Sequence, residues 1–151
     1  MQDKERFIIL IADDDPEDRM LVADALEEAH LSNELHFVTD GEDLMNYLFR
    51  KGRHEHLQGR SMPRLILLDL NMPKKDGREA LAEIKVHPKF KSIPIVVMTT
   101  SQAESDIAQT YNLGANSFIS KPVTFEGLVT VMKSLCNYWF NTVSLPSSEL
   151  L

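Results

Sequence analysis

A chain of 151 residues, 43% hydrophobic and 26% charged, is long enough for one domain with a substantial core and too ordinary in composition to be fibrous or disordered. Its net charge of −7 argues against a general nucleic-acid binder, and its single cysteine, Cys136, excludes an internal disulfide framework and suits a reducing cytosol. No apolar run approaches the roughly 18 residues of a membrane span. The start, Met-Gln-Asp-Lys-Glu-Arg, lacks the basic-then-apolar form of a signal peptide, so a cytoplasmic location is expected. The charge is uneven: residues 1–49 carry 14 acids and 3 bases, and residues 50–100 carry 5 acids and 11 bases.

In chain order, Phe7 to Ala12 is a continuous apolar run and predicts a strand buried on both faces, ending at Asp13-Asp14-Asp15-Pro16. Pro16 suits the first turn of a helix, and Val22, Ala25, Leu26 and Ala29 recur along one helix face. Glu34 to Val38 alternates and predicts a strand nearer an edge. Asp40-Gly41 then turns into a helix marked by Leu44, Met45 and Leu48. Residues 50–63 break this rhythm and read as a helix end followed by a polar loop inserted before the third strand. Leu65 to Leu68 is a second run buried on both faces. It stops at Asp69, and Asn71, Pro73 and Asp76-Gly77 then form a loop.

A helix from Gly77 to His87 is ended by Pro88. Ile93 to Met98 predicts a strand ending in Thr99, followed by a helix to about Tyr111. Ser117 to Ser120 is a short strand ending in Lys121-Pro122. The last helix, from about Thr124, buries Leu128, Val131, Met132 and Leu135. Five β-α units in succession imply a doubly wound α/β fold with a five-stranded parallel sheet and helices on both faces.

Parallel strands share one carboxyl rim, where open α/β sheets bind ligands. Four of the five strands end there in groups capable of chemistry: Asp13 and Asp14, Asp69, Thr99 and Lys121. Three neighbouring carboxylates repel one another unless a proton or a cation intervenes. Mg²⁺ accepts carboxylate oxygens and keeps waters for a phosphate. Lys121 adds a point charge and Thr99 a hydroxyl donor, so the set suits in-line phosphoryl transfer onto an Asp oxygen. Asp69 is the best placed acceptor, because the acidic pair is needed for the metal.

These residues resemble a response-regulator receiver domain of the chemotaxis type, over about residues 6–135. The motifs are an acidic pair after strand one, Asp-x-x-Met-Pro-x-x-Asp-Gly after strand three, Thr after strand four and Lys-Pro after strand five. The resemblance implies a flavodoxin-like sheet of order 2-1-3-4-5 and phosphorylation of Asp69 by a phosphohistidine on a sensor histidine kinase. It implies Mg²⁺ held by Asp13, Asp14, Asp69 and the backbone carbonyl of Asn71. It also implies phosphoryl contacts from Thr99 and Lys121, a cis Lys121–Pro122 bond, and a switch in which Thr99 moves and Phe118 turns inward. Phe118 has no hydroxyl, so that switch would act by packing alone.

The insert, the Asp69 loop and the Asn-Tyr-Trp-Phe tail look like the phytochrome-associated single-domain regulators of bacteria. That implies a bacteriophytochrome as the kinase and a homodimer. A receiver domain is expected over residues 1–139, with a tail over 140–151 as an interaction extension. Tyr138, Trp139 and Phe140 cannot all face one core, so an interface is expected at these three in preference to a tail folded back on its own domain.

Other residues have simpler readings. Asp15 and Asp18 favour the positive helix N-terminus. His54-Glu55-His56 reads as a solvated loop, Lys74 and Lys75 as surface charge or kinase contacts, and Thr100 and Ser101 as caps of the fourth helix. Met98 reads as core, and so does Phe118 beside its switch reading.

Two other functions compete. A haloacid-dehalogenase-like phosphatase would use the D-x-D of Asp13-Asp14-Asp15, but Glu17 stands where that class has Thr or Val, Asp69 is unexplained and there is no room for a cap domain. A receiver-like scaffold that is never phosphorylated is disfavoured by the complete set of site residues.

Overall fold

The computed structural model describes residues 8–29, 34–100 and 103–145. Strands β1 (Ile8–Ala12), β2 (Glu34–Val38), β3 (Leu65–Leu68), β4 (Ile95–Thr99) and β5 (Ser117–Ser120) form one parallel sheet in the order β2-β1-β3-β4-β5, as expected. Burial follows that order. Every residue of β1, β3 and β4 is buried, whereas β2 and β5, at the two edges, are only partly covered. The apolar runs are continuous in the central strands because helices cover both faces of the sheet.

Helices α1 (Pro16–Glu28) and α5 (Phe125–Asn137) cover one face, where Ile9, Ile11, Leu65, Leu67 and Val96 meet Leu26 and Met132. Helices α2 (Gly41–Phe49) and α3 (Gly77–Val86) cover the other, where Leu10, Ile66, Leu68 and Val97 meet Leu44, Leu48, Leu81 and Ile84. Alternate residues of each strand serve opposite faces, which is the two-residue period of a strand. Helix α4 (Glu104–Asn112) lies on edge strand β5 and buries only Thr110. Its N-cap is Ala103, so Thr100 is not the N-cap residue expected. Ser101 lies outside the described residues.

The insert after α2 is more ordered than a polar loop. Arg50 takes a left-handed backbone (φ 57°) that turns the chain out of the helix, and Gly52–Leu57 forms a 3₁₀ turn. The Arg50 guanidinium donates to the carbonyls of Tyr47 at 3.0 Å and Ser61 at 2.9 Å, tying both ends of the insert together. His54 is buried rather than solvated, while Glu55 and His56 are exposed as expected. Asp43, in the first turn of α2, explains why: its carboxylate takes the His54 ring at 2.8 Å and the Arg53 guanidinium at 2.7 Å.

At the other end of the chain, α5 continues into a single π turn, Tyr138–Thr142. Trp139 and Phe140 are half-buried against the α1/α5 face, leaving Tyr138 as the exposed member of the trio. The final residues of the expected tail, 146–151, lie outside the described part.

Burial opposes the Asp43 charge, yet its hydrogen bonds with Arg53 and His54 prevail and hold its pKa at about 2, below the ordinary 3.8. A carboxyl depressed on folding stabilises the fold above its ordinary pKa and loses that contribution as pH falls through the folded value. The insert should therefore loosen between about pH 4 and pH 2. Asp43→Asn should cost about 1–2 kcal/mol at neutral pH, discounted for the exposed Arg53, and should flatten the acid limb of the denaturation profile. Denaturant melts of both proteins from pH 7 to pH 2 check this, and parallel acid limbs would refute it.

Candidate functional site

The register of three strands assembles the site. Ala12 pairs with Leu68, and the Asp69 N–H donates to the Ala12 carbonyl at 3.0 Å, so Asp13 and Asp69 leave adjacent strands side by side. Val97 pairs with Leu68, and the Lys121 N–H donates to the Thr99 carbonyl at 2.8 Å, which brings the ends of β4 and β5 to the same rim. One close approach fixes the loop beneath Asp69. A methyl group on Gly77, the first residue of α3, would meet the Asp69 carbonyl at 2.5 Å and the Leu70 Cα at 2.7 Å, both backbone atoms. Glycine here lets α3 start directly under the strand end.

Carboxylate oxygens of Asp13, Asp14 and Asp69 all lie within 4.8 Å of one another. Asp13 is buried, Asp69 half-buried and Asp14 exposed, so the cluster opens to solvent on the Asp14 side. The Lys121 ammonium donates to Asp18 at 2.8 Å, to Asp13 at 3.0 Å and to Asp69 at 3.4 Å. Burial pushes the Asp13 carboxyl above its ordinary value, in spite of the Asp15 N–H and the Lys121 ammonium that favour its charge. Burial opposes the charge on Lys121 as well, but the Asp18 and Asp13 carboxylates outweigh it and hold its pKa above the usual lysine range. Thr99 is fully buried and its hydroxyl has no partner among the described residues. An orphan hydroxyl at a polar rim is costly unless something else comes to meet it. The Asn71 N–H donates to Asp69 at 3.3 Å.

Two sequence expectations need correction and one residue was missed. The Lys121–Pro122 bond is trans, not cis. Trans is the intrinsically favoured state of an X–Pro amide, by about 0.5–1 kcal/mol, and Lys121 reaches the carboxylates from it. Asp18 does more than favour the helix dipole. Asp15 already caps α1, accepting from the Glu17 N–H at 2.9 Å, while Asp18 takes the shortest bond to Lys121. The available clue was position, since an acid in the first turn of a helix that begins at the rim overhangs the rim. Arg19 is likewise recruited, its guanidinium donating to the Asp13 carbonyl at 2.7 Å.

The donor set fits a hard divalent cation. Three carboxylates share one neighbourhood, Lys121 divides its single charge between two of them and Asp18, and the open side leaves room for water. Among the described residues this is the sole group of three or more His, Cys, Asp or Glu side chains placed to share one ion.

Residues 9–133 match the response regulator receiver domain. The chain belongs to that family. The receiver is 40% identical over 141 residues to the response regulator Rcp1 of Synechocystis sp., covering 93% of this chain and 94% of Rcp1. Its structure is similar to that of the phosphorylated cyanobacterial phytochrome response regulator RcpA, with a TM-score of 0.86 and 40% identity over 95% of this chain and 100% of that one. It is similar also to the Mn²⁺-bound form of Rcp1, with a TM-score of 0.83 and 40% identity over 93% of this chain and 99% of that one. The receiver is therefore a signalling protein homologous to phytochrome response regulators, and membership of the family implies a histidine kinase as partner. No helix among the described residues is long and apolar enough to cross a membrane.

A divalent cation should raise the thermal midpoint of the receiver, and chelation should reverse the gain. At ten times Kd the stabilisation is about 1.4 kcal/mol. Because Asp13 takes up a proton at a higher pH than an ordinary carboxyl, the gain should begin to fall above the usual carboxylate range as pH drops. Thermal melts with Mg²⁺ or chelator, on wild type and Asp13→Asn, check this. A cation response that survives the substitution would count against the cluster.

Proposed function

We propose that Asp69 is the phosphoacceptor of a two-component phosphorelay and that the receiver signals by the change in surface that follows. The observation that carries this reading is the Asp69 carboxylate itself, half-buried at the rim, beside two further acids and within 3.4 Å of the Lys121 ammonium. A sensor histidine kinase supplies the phosphoryl group from phosphohistidine. The bond between the Asp69 oxygen and phosphorus forms as the phosphorus–nitrogen bond breaks, and the imidazole departs with the bonding pair.

Asp13, Asp14, Asp69 and the Asn71 carbonyl would hold Mg²⁺, which when bound neutralises the charge shared by acceptor and phosphoryl group. Lys121 pairs with a phosphoryl oxygen. The unpartnered Thr99 hydroxyl donates to another, and its movement leaves space into which Phe118 packs. Phe118 is half-buried against the α2/α3 face, in keeping with a switch by packing.

The finer assignments belong to the same proposal. The similarity to phytochrome response regulators favours a bacteriophytochrome as the kinase. The receiver would act as a phosphoacceptor rather than as a turnover enzyme. The phosphatase alternative leaves Asp69 without a role, and a passive scaffold leaves the buried Thr99 hydroxyl without one. The receiver unit would span residues 1–139, with residues 140–151 as an interaction extension. An exposed Tyr138 (50%) beside Trp139 and Phe140 supports a homodimer through the end of α5.

With Mg²⁺ and acetyl phosphate the receiver should gain the mass of one phosphoryl group, and Asp69→Asn should gain none. Intact-protein mass spectrometry decides this, and a labelled mutant or an unlabelled wild type would end the assignment. The receiver should also elute as a dimer at micromolar concentration, with Tyr138→Asp shifted toward the monomer. Light scattering measures both, and a monomeric wild type in phosphorylated and unphosphorylated states would remove the dimer.

A further inference from the structure

We propose that Asp18 is a positioning residue that draws the Lys121 ammonium aside until Asp69 carries a phosphoryl group, which makes it a built-in brake on phosphorylation. The inference rests on the reading of Asp69 as phosphoacceptor and of Lys121 as its phosphoryl contact. Three carboxylates share the three hydrogens of one ammonium, and the distances rank them: Asp18 at 2.8 Å, Asp13 at 3.0 Å and Asp69 at 3.4 Å. The nearest partner is thus the one acid of the three that stands outside the clustered carboxylates, on the first turn of α1. The most distant is the acceptor.

Asp18 is not needed where a dipole argument would put it. Asp15 fills the N-cap, and Glu17 already places a second acid in the first turn. The Asp18 side chain is 35% exposed and that of Lys121 15%, so the pair closes over the site from its rim. A cavity of about 60 Å³ bounded by Asp18, Leu21, Met98 and Pro122 lies beside the lysine, giving its stem room to swing.

Phosphorylation changes the ranking. In the reaction with acetyl phosphate the Asp69 carboxylate attacks phosphorus, the oxygen–phosphorus bond forms, and the bond to acetate breaks. Acetate leaves with the electron pair, and no proton has to move. A monoanionic Asp69 becomes a dianionic acyl phosphate. Lys121 must then leave Asp18 to meet a phosphoryl oxygen, and breaking that pair is part of the barrier. Removing the negative charge of Asp18 frees Lys121 in advance.

Labelling by acetyl phosphate with Mg²⁺, followed by intact mass against time, tests this on the full chain. Asp18→Asn should be labelled roughly two- to five-fold faster than wild type, the range set by a half-exposed ion pair. Asp18→Ser should move in the same direction, which guards against a fold defect peculiar to one substitution, and Asp18→Glu should restore the slow rate. An acid that merely supported α1 would behave oppositely, its loss lowering the thermal midpoint and the labelling rate together. Neutral variants labelled at or below the wild-type rate, or an Asp18→Glu as fast as Asp18→Asn, would overturn the inference. A wild type that takes no label would instead overturn the reading of Asp69, so the two failures are distinct.

Discussion

Three carboxylates held within 4.8 Å of one another by strand ends that cannot separate are the constraint on which the rest of the structure turns. On a mobile surface such acids would move apart or take up a proton. Here β1 and β3 are fully buried and hydrogen-bonded in register, so the backbone under Asp13 and Asp69 has nowhere to go. The repulsion is therefore built in. Burial pushes the Asp13 carboxyl up, with the Asp69 charge adding to it, and the acids hold the charge on Lys121 against burial. A fold that maintains such a cluster is primed for whatever brings positive charge to it.

The means of holding the cluster are ordinary packing. Alternate strand residues fill two separate apolar layers, one under α1 and α5 and the other under α2 and α3. The rim lies at the end of both layers, so it inherits their rigidity without being part of either. Gly77 extends this rigidity into the loop, because α3 begins in backbone contact with Asp69 and Leu70. Thr99 is the point where core and rim meet: it is the last residue of a buried strand, and its hydroxyl has no partner among the described residues. A polar group kept unsatisfied inside a rigid frame has a cost, and a ligand oxygen within its reach would offset it.

Much of this was legible in the sequence, for a physical reason. Continuous apolar runs report burial on two faces, and the residue at which each run stops reports the carboxyl rim, so Asp13, Asp69, Thr99 and Lys121 could be grouped without coordinates. The alternating run Glu34 to Val38 placed β2 toward an edge, where the sheet has it. Interactions that run sideways were less visible. Nothing periodic links Asp18 to Lys121 across 103 positions, or Asp43 to His54 across the insert. Composition points to solvent for the insert, and most of it is exposed, but one carboxylate on α2 draws His54 inward. The left-handed turn at Arg50 was hidden as well, because such turns are usually sought at glycine, and Gly52 stands two residues later.

Charge at the rim also bears on how the state of the site could reach the rest of the surface. The Lys121 N–H is bonded to the Thr99 carbonyl, so the two groups that would meet a phosphoryl oxygen already move as neighbours. Phe118 pairs in the sheet with Val97, two residues before Thr99, and its N–H donates to the Tyr111 hydroxyl on α4 at 3.2 Å. Helix α4 is also tied to α3 through Arg78, which bridges Asp106 and Asp76. With only Thr110 buried, α4 is the helix with the least apolar burial to hold it in place. A shift of Thr99 and Lys121 would therefore act on edge strand β5 and on α4, while the rigid centre of the sheet stays fixed. That division, with acids clamped at the centre and a lightly held helix at the edge, would let a local change of charge become a change of surface.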